Sequence, residues 1–308
     1  MKITMLFDIM RWEERAILKS MQDKNVDVQL LNVKDINMDL QKLNYDFGDI
    51  SLQRSTGYYR NLHSTAYVEF TGNKIMNDFH STIITGNKMF TSTVLSQHGV
   101  RIPKTFVSFT NEKFLESFKS DFKGRAVTKP VTGSWGRMIS LLNDYYAAMD
   151  VSEYKEYMYP IYQVNYTQEY INDFNRDLRV FLVNDRAVAG IYRYRSGEDW
   201  RTNTALGGRA EPLKITSEIE DIVEKVHDAL GSGIYGIDIL ESRDGYFVNE
   251  VNGNTEFKNT VPVTGINIPD FISDFISAIR SFSETDLGYL ISIYMDACSG
   301  VMLSYSPP

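Results

Sequence analysis

The residues best placed to do chemistry lie late in the chain: Asp238 falls in one apolar run, and Glu250 and Asn252 in the next. The runs Ile234 to Leu240 and Tyr246 to Val251 are joined by Arg243-Asp244-Gly245, the composition of a tight turn. Side chains alternate faces along a strand, so Glu250 and Asn252 point the same way, and Asp238 joins them across the ladder. Three oxygen donors on one face suit magnesium, which takes one or two carboxylates plus waters and substrate phosphates. The competing reading is a solvated polar edge, or carboxylates paired with basic side chains.

Upstream, Lys129-Pro130-Val131-Thr132-Gly133-Ser134-Trp135-Gly136-Arg137 sets a lysine at the end of a strand, followed by a loop with two glycines and small hydroxyl residues. Backbone N–H groups in such a loop can reach phosphates, and the lysine adds a point charge. The loop matches neither G-x-x-x-x-G-K-[ST] nor G-x-G-x-x-G, and an ordinary glycine turn is the alternative. Lys88 falls inside a helical stretch, where a solvated lysine is the plain reading. Gln168-Glu169-Tyr170-Ile171 ends an apolar strand and could present backbone groups to a flat ring such as adenine. Asp177 and Arg179 are i and i+2 on one strand, as are Arg193 and Arg195 on another. One sheet face would thus carry carboxylates, amides and several arginines, whose forked guanidinium groups bind carboxylate or phosphate. Structural ion pairs explain one such arginine more easily than three. His63, His80, His98 and His227 form no motif-like cluster, so no Ser-His-Asp or Cys-His set is present.

These residues need a sheet to position them, and the patterning supplies several. Over the first 80 or so residues, short apolar runs (Ile3 to Phe7, Val26 to Leu31, Asp49 to Gln53) alternate with helical stretches (Trp12 to Met21, Tyr58 to Phe70), as in a small parallel α/β unit. One helix is predicted over Ser81 to Gln97, then strands at Thr105 to Ser108 and Arg125 to Lys129. From Tyr162 the strands lengthen, at Tyr162 to Tyr170, Leu178 to Val183 and Ala187 to Tyr194, in a third region with a mixed or antiparallel sheet. Helical stripes through Ile219 to Leu230 and Phe271 to Ile279 flank it. With 308 residues, 43% hydrophobic and 23% charged, the chain is an ordinary globular protein of two or three domains. A net charge of −8 argues against a surface built for nucleic acid, and the single Cys298 excludes a disulfide framework. No signal peptide or membrane segment is predicted, which points to the cytoplasm.

Taken in order, Lys88, the glycine loop, the hinge at Gln168 to Ile171, Arg179, Asp238, Glu250 and Asn252 resemble the ATP-grasp superfamily. The runs Arg176 to Phe181, Gly133 to Arg137, Trp200 to Ala205 and Asn249 to Asn252 are most similar to its LysX/ArgX branch, related to the RimK ligases. The resemblance covers about residues 1 to 282. It implies an α/β (α+β) fold divided into an N-terminal Rossmann-like domain (1–84), a central lid (85–165) and a C-terminal mixed or antiparallel sheet domain (166–283), with an extension (284–308) of unassigned role. It also implies an ATP-dependent ligase that forms an amide through an acylphosphate. Lys88, Lys129 and Ser134 would hold phosphates, Gly133 and Gly136 would shape the loop, and Glu169 and Ile171 would border adenine. Trp135, Arg137, Tyr170 and Asp177 would complete the nucleotide site. Asp238, Glu250 and Asn252 would carry two magnesium ions, while Arg179, Arg193 and Asn203 would face the γ-phosphate or a substrate carboxylate. The implied partners are α-aminoadipate or glutamate, a small acidic LysW-like carrier protein and further copies of the chain. A ligase acting on another acceptor is one alternative. A nucleotide-binding scaffold without chemistry is another, and the complete acidic set argues against it.

Overall fold

Ile3, Thr4, Met5 and Leu6 are all fully buried, the pattern of a strand covered on both faces in a parallel sheet. The computed structural model describes residues 1–133, 136–195, 200 and 209–279, and shows that arrangement. Strand β1 (Lys2–Phe7) lies between β2 (Asp27–Asn32) and β3 (Ile50–Gln53), and β4 (Ile75–Met76) adds beside β3, all parallel. Helices α1 (Trp12–Asp23) and α2 (Tyr58–Phe70) are the crossovers.

A middle unit follows. Helices α3 (Phe79–Thr85) and α4 (Lys88–Gln97) lead into an antiparallel sheet of β5 (Thr105–Ser108), β6 (Ala126–Lys129), β7 (Ser140–Leu142) and β8 (Asn165–Glu169), in the order β5-β8-β6-β7. Helices α5 (Asn111–Ser120) and α6 (Tyr145–Glu156) bring Phe114, Phe118 and Ala148 together with Ala126 and Leu142 in a small core.

The largest sheet is antiparallel and runs β11-β10-β9-β12-β13, from β9 (Arg176–Val183), β10 (Arg186–Tyr194), β11 (Ala210–Pro212), β12 (Ile234–Ser242) and β13 (Gly245–Asn252). Its two faces are used differently. Leu178, Val180, Leu182, Ile237 and Ile239 pack under α7 (Ser217–Leu230) through Ile219, Val223 and Val226. On the other face Phe181, Val183 and Ile234 meet α9 (Ile268–Ala278), Phe257 and the parallel sheet of the first unit. Asp177 and Arg179 share this second face by alternation, at the end where apolar cover stops. A short helix, α8 (Thr260–Thr264), precedes α9.

Three expectations change. The single helix over Ser81 to Gln97 is two helices, because Gly86 and Asn87 interrupt it. A side chain at Gly86 would run into the Tyr58 ring, and the Asn87 carboxamide caps the amides of Met89 and Phe90 to start α4. Lys88 therefore opens a helix rather than sitting inside one. The strand expected to open the third region begins at Asn165, after a 3-10 turn at Pro160–Tyr162, and lies in the middle sheet between β5 and β6. The third change is an addition: α5, α6, α8, β4, β7 and β11 were not apparent in the sequence. Ser134, Trp135, Asn203 and the extension 284–308 with Cys298 lie outside the described residues.

Ile237 is fully buried at the centre of the large sheet. Ile237→Ala is expected to lower stability by about 2–5 kcal/mol in urea unfolding, from lost transfer energy plus a cavity.

Candidate active site

The three units enclose one cavity of about 1010 Å³, and every expected site residue in the described region lines it. The antiparallel register explains the convergence. Arg179 on β9 stands opposite Asp238 on β12, and Asp177 on β9 stands opposite Arg193 on β10. Each pair closes a two-pronged ion pair. Arg193 Nε and one terminal nitrogen donate to the two oxygens of Asp177, both at 2.7 Å, and Arg179 holds both oxygens of Asp238. The same Arg193 nitrogen also reaches Asp238 Oδ1 at 2.9 Å, so the pairs join into one ladder. Burial would push the Asp238 carboxyl upward, yet Arg179 and Arg193 outweigh it and hold it below the usual carboxylate range. Arg193 thus pairs with Asp177 and Asp238, and Arg179 with Asp238, so the ion-pair reading of these residues holds together with their place in the site.

Strand β13 brings a second device. Asp238 pairs with Glu250 but Ile239 pairs with Val248, leaving Asn249 as the extra residue of a β-bulge. Asn249 therefore turns into the cavity with its neighbour Glu250, and its Oδ1 accepts from Lys129 Nζ at 2.7 Å. Gln168 Oε1 accepts from the same ammonium at 2.5 Å. Lys129 has no carboxylate in contact among the described residues and is deeply buried. Burial pushes its pKa down from 10.5 to about 8; Glu250 opposes that shift, Lys88 adds to it and Asp238 opposes it. Lys88 Nζ lies 3.5 Å from Glu250 Oε1 and donates to the Gly133 carbonyl at 2.8 Å, while its backbone N–H bonds Val131. The glycine loop is thereby tied to the start of α4. Gly133 and Gly136 both have positive φ, +140° and +66°, which side-chain-bearing residues resist.

The hinge Glu169, Tyr170 and Ile171 lines the same cavity, as does Leu240. Arg125 lies 4.6 Å over the Tyr170 ring, and Trp200 meets that ring edge-on. Two carboxylates and an amide, Asp238, Glu250 and Asn252, share the cavity's acidic side. They are hard oxygen donors, and Glu250 contacts one cation, Lys88. Among the described residues no group of three or more His, Cys, Asp or Glu could hold a metal. The set therefore fits magnesium, whose remaining ligands come from phosphates and water, and does not fit a metal held by protein alone.

The region 85–276 matches the RimK-like ATP-grasp domain. The chain belongs to this family. It is accordingly an ATP-dependent ligase, and ATP-grasp ligases generally use ATP with Mg2+. It is 38% identical to the α-aminoadipate–LysW ligase LysX of Sulfurisphaera tokodaii over 88% of this chain and 96% of that one. The LysX of Saccharolobus solfataricus is 37% identical over 85% and 96%. The glutamate–LysW ligase ArgX of Sulfurisphaera tokodaii is 29% identical over 90% and 98%. Among solved structures, a RimK domain ATP-grasp protein from Sphaerobacter thermophilus superposes with a TM-score of 0.71 at 18% identity, covering 89% of this chain and 99% of its own. The ligase PsnB, solved with Mg and ADP, also reaches 0.71 at 16% identity, over 91% and 98%. No helix among the described residues is long and apolar enough to cross a membrane.

Several site residues were not singled out from the sequence. Asn249 is out of phase with Glu250 in a regular strand, and only the bulge brings it in. Gln168 was assigned to the hinge, whereas its side chain holds Lys129. Arg54, 1% exposed, donates to Glu14 and to the Thr255 carbonyl, locking the first unit to the loop after β13. Arg176 lines the cavity in an ion pair with Glu241.

The Lys129 geometry sets a testable balance. Its pKa is lower in the folded than in the unfolded chain, so the folded state favours the neutral amine, and stability is expected to rise as pH climbs from about 8 toward 10.5. Lys129→Met is expected to raise the urea midpoint at pH 7 and to flatten that rise, while weakening ATP binding.

Proposed function

We propose that this ligase joins the amino group of α-aminoadipate to the γ-carboxyl of the terminal glutamate of a small acidic LysW-like carrier. The observation that carries this reading is the higher identity to LysX ligases than to ArgX ligases, over nearly the whole chain. The site chemistry supports it. A carboxylate oxygen attacks the γ-phosphorus of ATP, the bond to the ADP oxygen breaks, and an acylphosphate forms. The amine nitrogen then attacks the acyl carbon, phosphate leaves, and the nitrogen gives up its proton. Neither step needs a nucleophilic side chain. What they need is positioning and charge neutralisation.

In this reading Lys129 and Lys88 neutralise the phosphates from the middle unit. The hinge Glu169 to Ile171 borders the adenine ring, and Val127 and Leu240 add apolar surface. Arg179 and Arg193 sit at the reacting end, with forks already held in plane by Asp238 and Asp177. Asp238, Glu250 and Asn252 would hold magnesium, two ions being the number the family resemblance implies. Bound there, the metal would offset negative charge on the phosphate oxygens.

The direct test is ADP release with Mg·ATP, a peptide ending in acidic residues and a terminal glutamate, and either α-aminoadipate or glutamate. Turnover is expected to require the peptide together with α-aminoadipate. Glu250→Gln is expected to lower kcat/KM by on the order of a hundredfold with the fold intact by circular dichroism. Turnover with glutamate alone would assign the other branch, and none with either amino acid would overturn the carrier reading.

A further inference from the structure

The cavity continues past the reacting end to the carboxyl edge of the parallel sheet, where open α/β sheets commonly take a ligand. Ser55 lies there, just beyond β3. Its backbone is fully engaged: its N–H donates to Gln53 Oε1, and its carbonyl accepts from the carboxamides of Asn61 and Asn254. Its hydroxyl is different. Ser55 is 1% exposed and lines the cavity, yet its Oγ has no hydrogen-bond partner among the described residues. A buried hydroxyl left unpaired costs stability.

The start of α2 adjoins it. That helix begins at Gly57 with no capping side chain, and the amides of Tyr58, Tyr59 and Arg60 find no acceptor among the described residues. Thr56, Tyr58 and Asn61 line the same cavity. Asp8 fixes the approach by accepting from the amides of Thr56 and Gly57 and from Arg60 Nε. These bonds outweigh burial and keep the Asp8 carboxyl near 2, so it is ionised throughout the working range. The helix start is therefore held rigidly in place with its own donors free.

We infer that Ser55 Oγ and the N-terminus of α2 form a subsite for a carboxylate of the free amino-acid substrate, an inference that rests on the ligase reading above. Helix amides and one hydroxyl suit a singly charged carboxylate, while the ammonium groups of Lys88 and Lys129 serve the phosphates. Asn254, which bonds the Ser55 carbonyl, stands two residues beyond Asn252, so the subsite adjoins the reacting end. The depth of Ser55 favours a free amino acid over a carrier tail, which must enter from the rim while attached to its protein.

The test measures calorimetric binding of α-aminoadipate, glutamate and the acidic peptide to wild type, Ser55→Ala and Ser55→Cys, each with Mg·ADP, alongside wild-type ADP release. Ser55→Ala is expected to weaken amino-acid binding about ten- to a hundredfold, to leave peptide and ADP binding unchanged, and to keep or raise the melting temperature. Ser55→Cys, of similar size but a weaker donor, should fall between. Equal amino-acid binding in all three proteins would overturn the subsite, and so would a loss confined to the peptide. Wild-type protein that releases no ADP yet binds an amino acid through Ser55 would sink the ligase reading and leave the subsite standing. Binding of neither amino acid by wild type would remove both.

Discussion

The ladder of alternating charges across the large sheet, Asp177, Arg193, Asp238 and Arg179, is the constraint around which the site is built. These four side chains are only 6% to 15% exposed, and charges so far from water persist only when each is paired and hydrogen-bonded. Pairing across antiparallel strands supplies that, because the register sets Arg179 against Asp238 and Asp177 against Arg193. A one-residue slip of any of the three strands would turn its charges into the core under α7. The polar register and the apolar register thus enforce each other, and the Asp238 carboxylate that lines the cavity has a fixed position.

The ladder is neutral, so it does not itself draw in an anionic nucleotide. In the proposed reading that attraction comes from Lys88 and Lys129, and the two lysines are treated differently. Lys88 is anchored to the glycine loop and lies beside Glu250, whereas Lys129 is deeply buried and, among the described residues, has only the amide oxygens of Gln168 and Asn249 on its ammonium. The protein therefore holds a charge that its own side chains only partly compensate, at the place the proposed reading gives to the phosphates. Ser55 shows the same logic in neutral form, as a buried hydroxyl with no partner among the described residues. Both features cost stability in the free protein.

Much of this was legible in the sequence, for identifiable reasons. Strict alternation placed Asp238, Glu250 and Asn252 on one face, and the i, i+2 spacing of Asp177 and Arg179 did the same, because strand geometry leaves little freedom. The parallel first unit followed from apolar runs alternating with helices. What escaped depended on departures from regularity or on contacts distant in sequence. The bulge that turns Asn249 inward adds one residue without any glycine or proline to mark it. The break before Lys88 rests on a close approach between Gly86 and Tyr58, and the membership of β8 in the middle sheet depends on pairing with strands far earlier in the chain. Helix α6 carries tyrosines on its exposed side, which blurs the apolar stripe that would reveal it.

The central claim is that this cavity activates a carboxylate by phosphorylation, using fixed charge and no covalent attachment to the protein. It is tested most directly by supplying the acidic peptide with a heavy oxygen isotope in the side-chain carboxyl of its terminal glutamate, and examining the phosphate released during turnover with ATP by mass spectrometry. Transfer of one labelled oxygen from each carboxyl to the released phosphate is the expected result. Phosphate free of label, with the label retained in the peptide, would contradict the account.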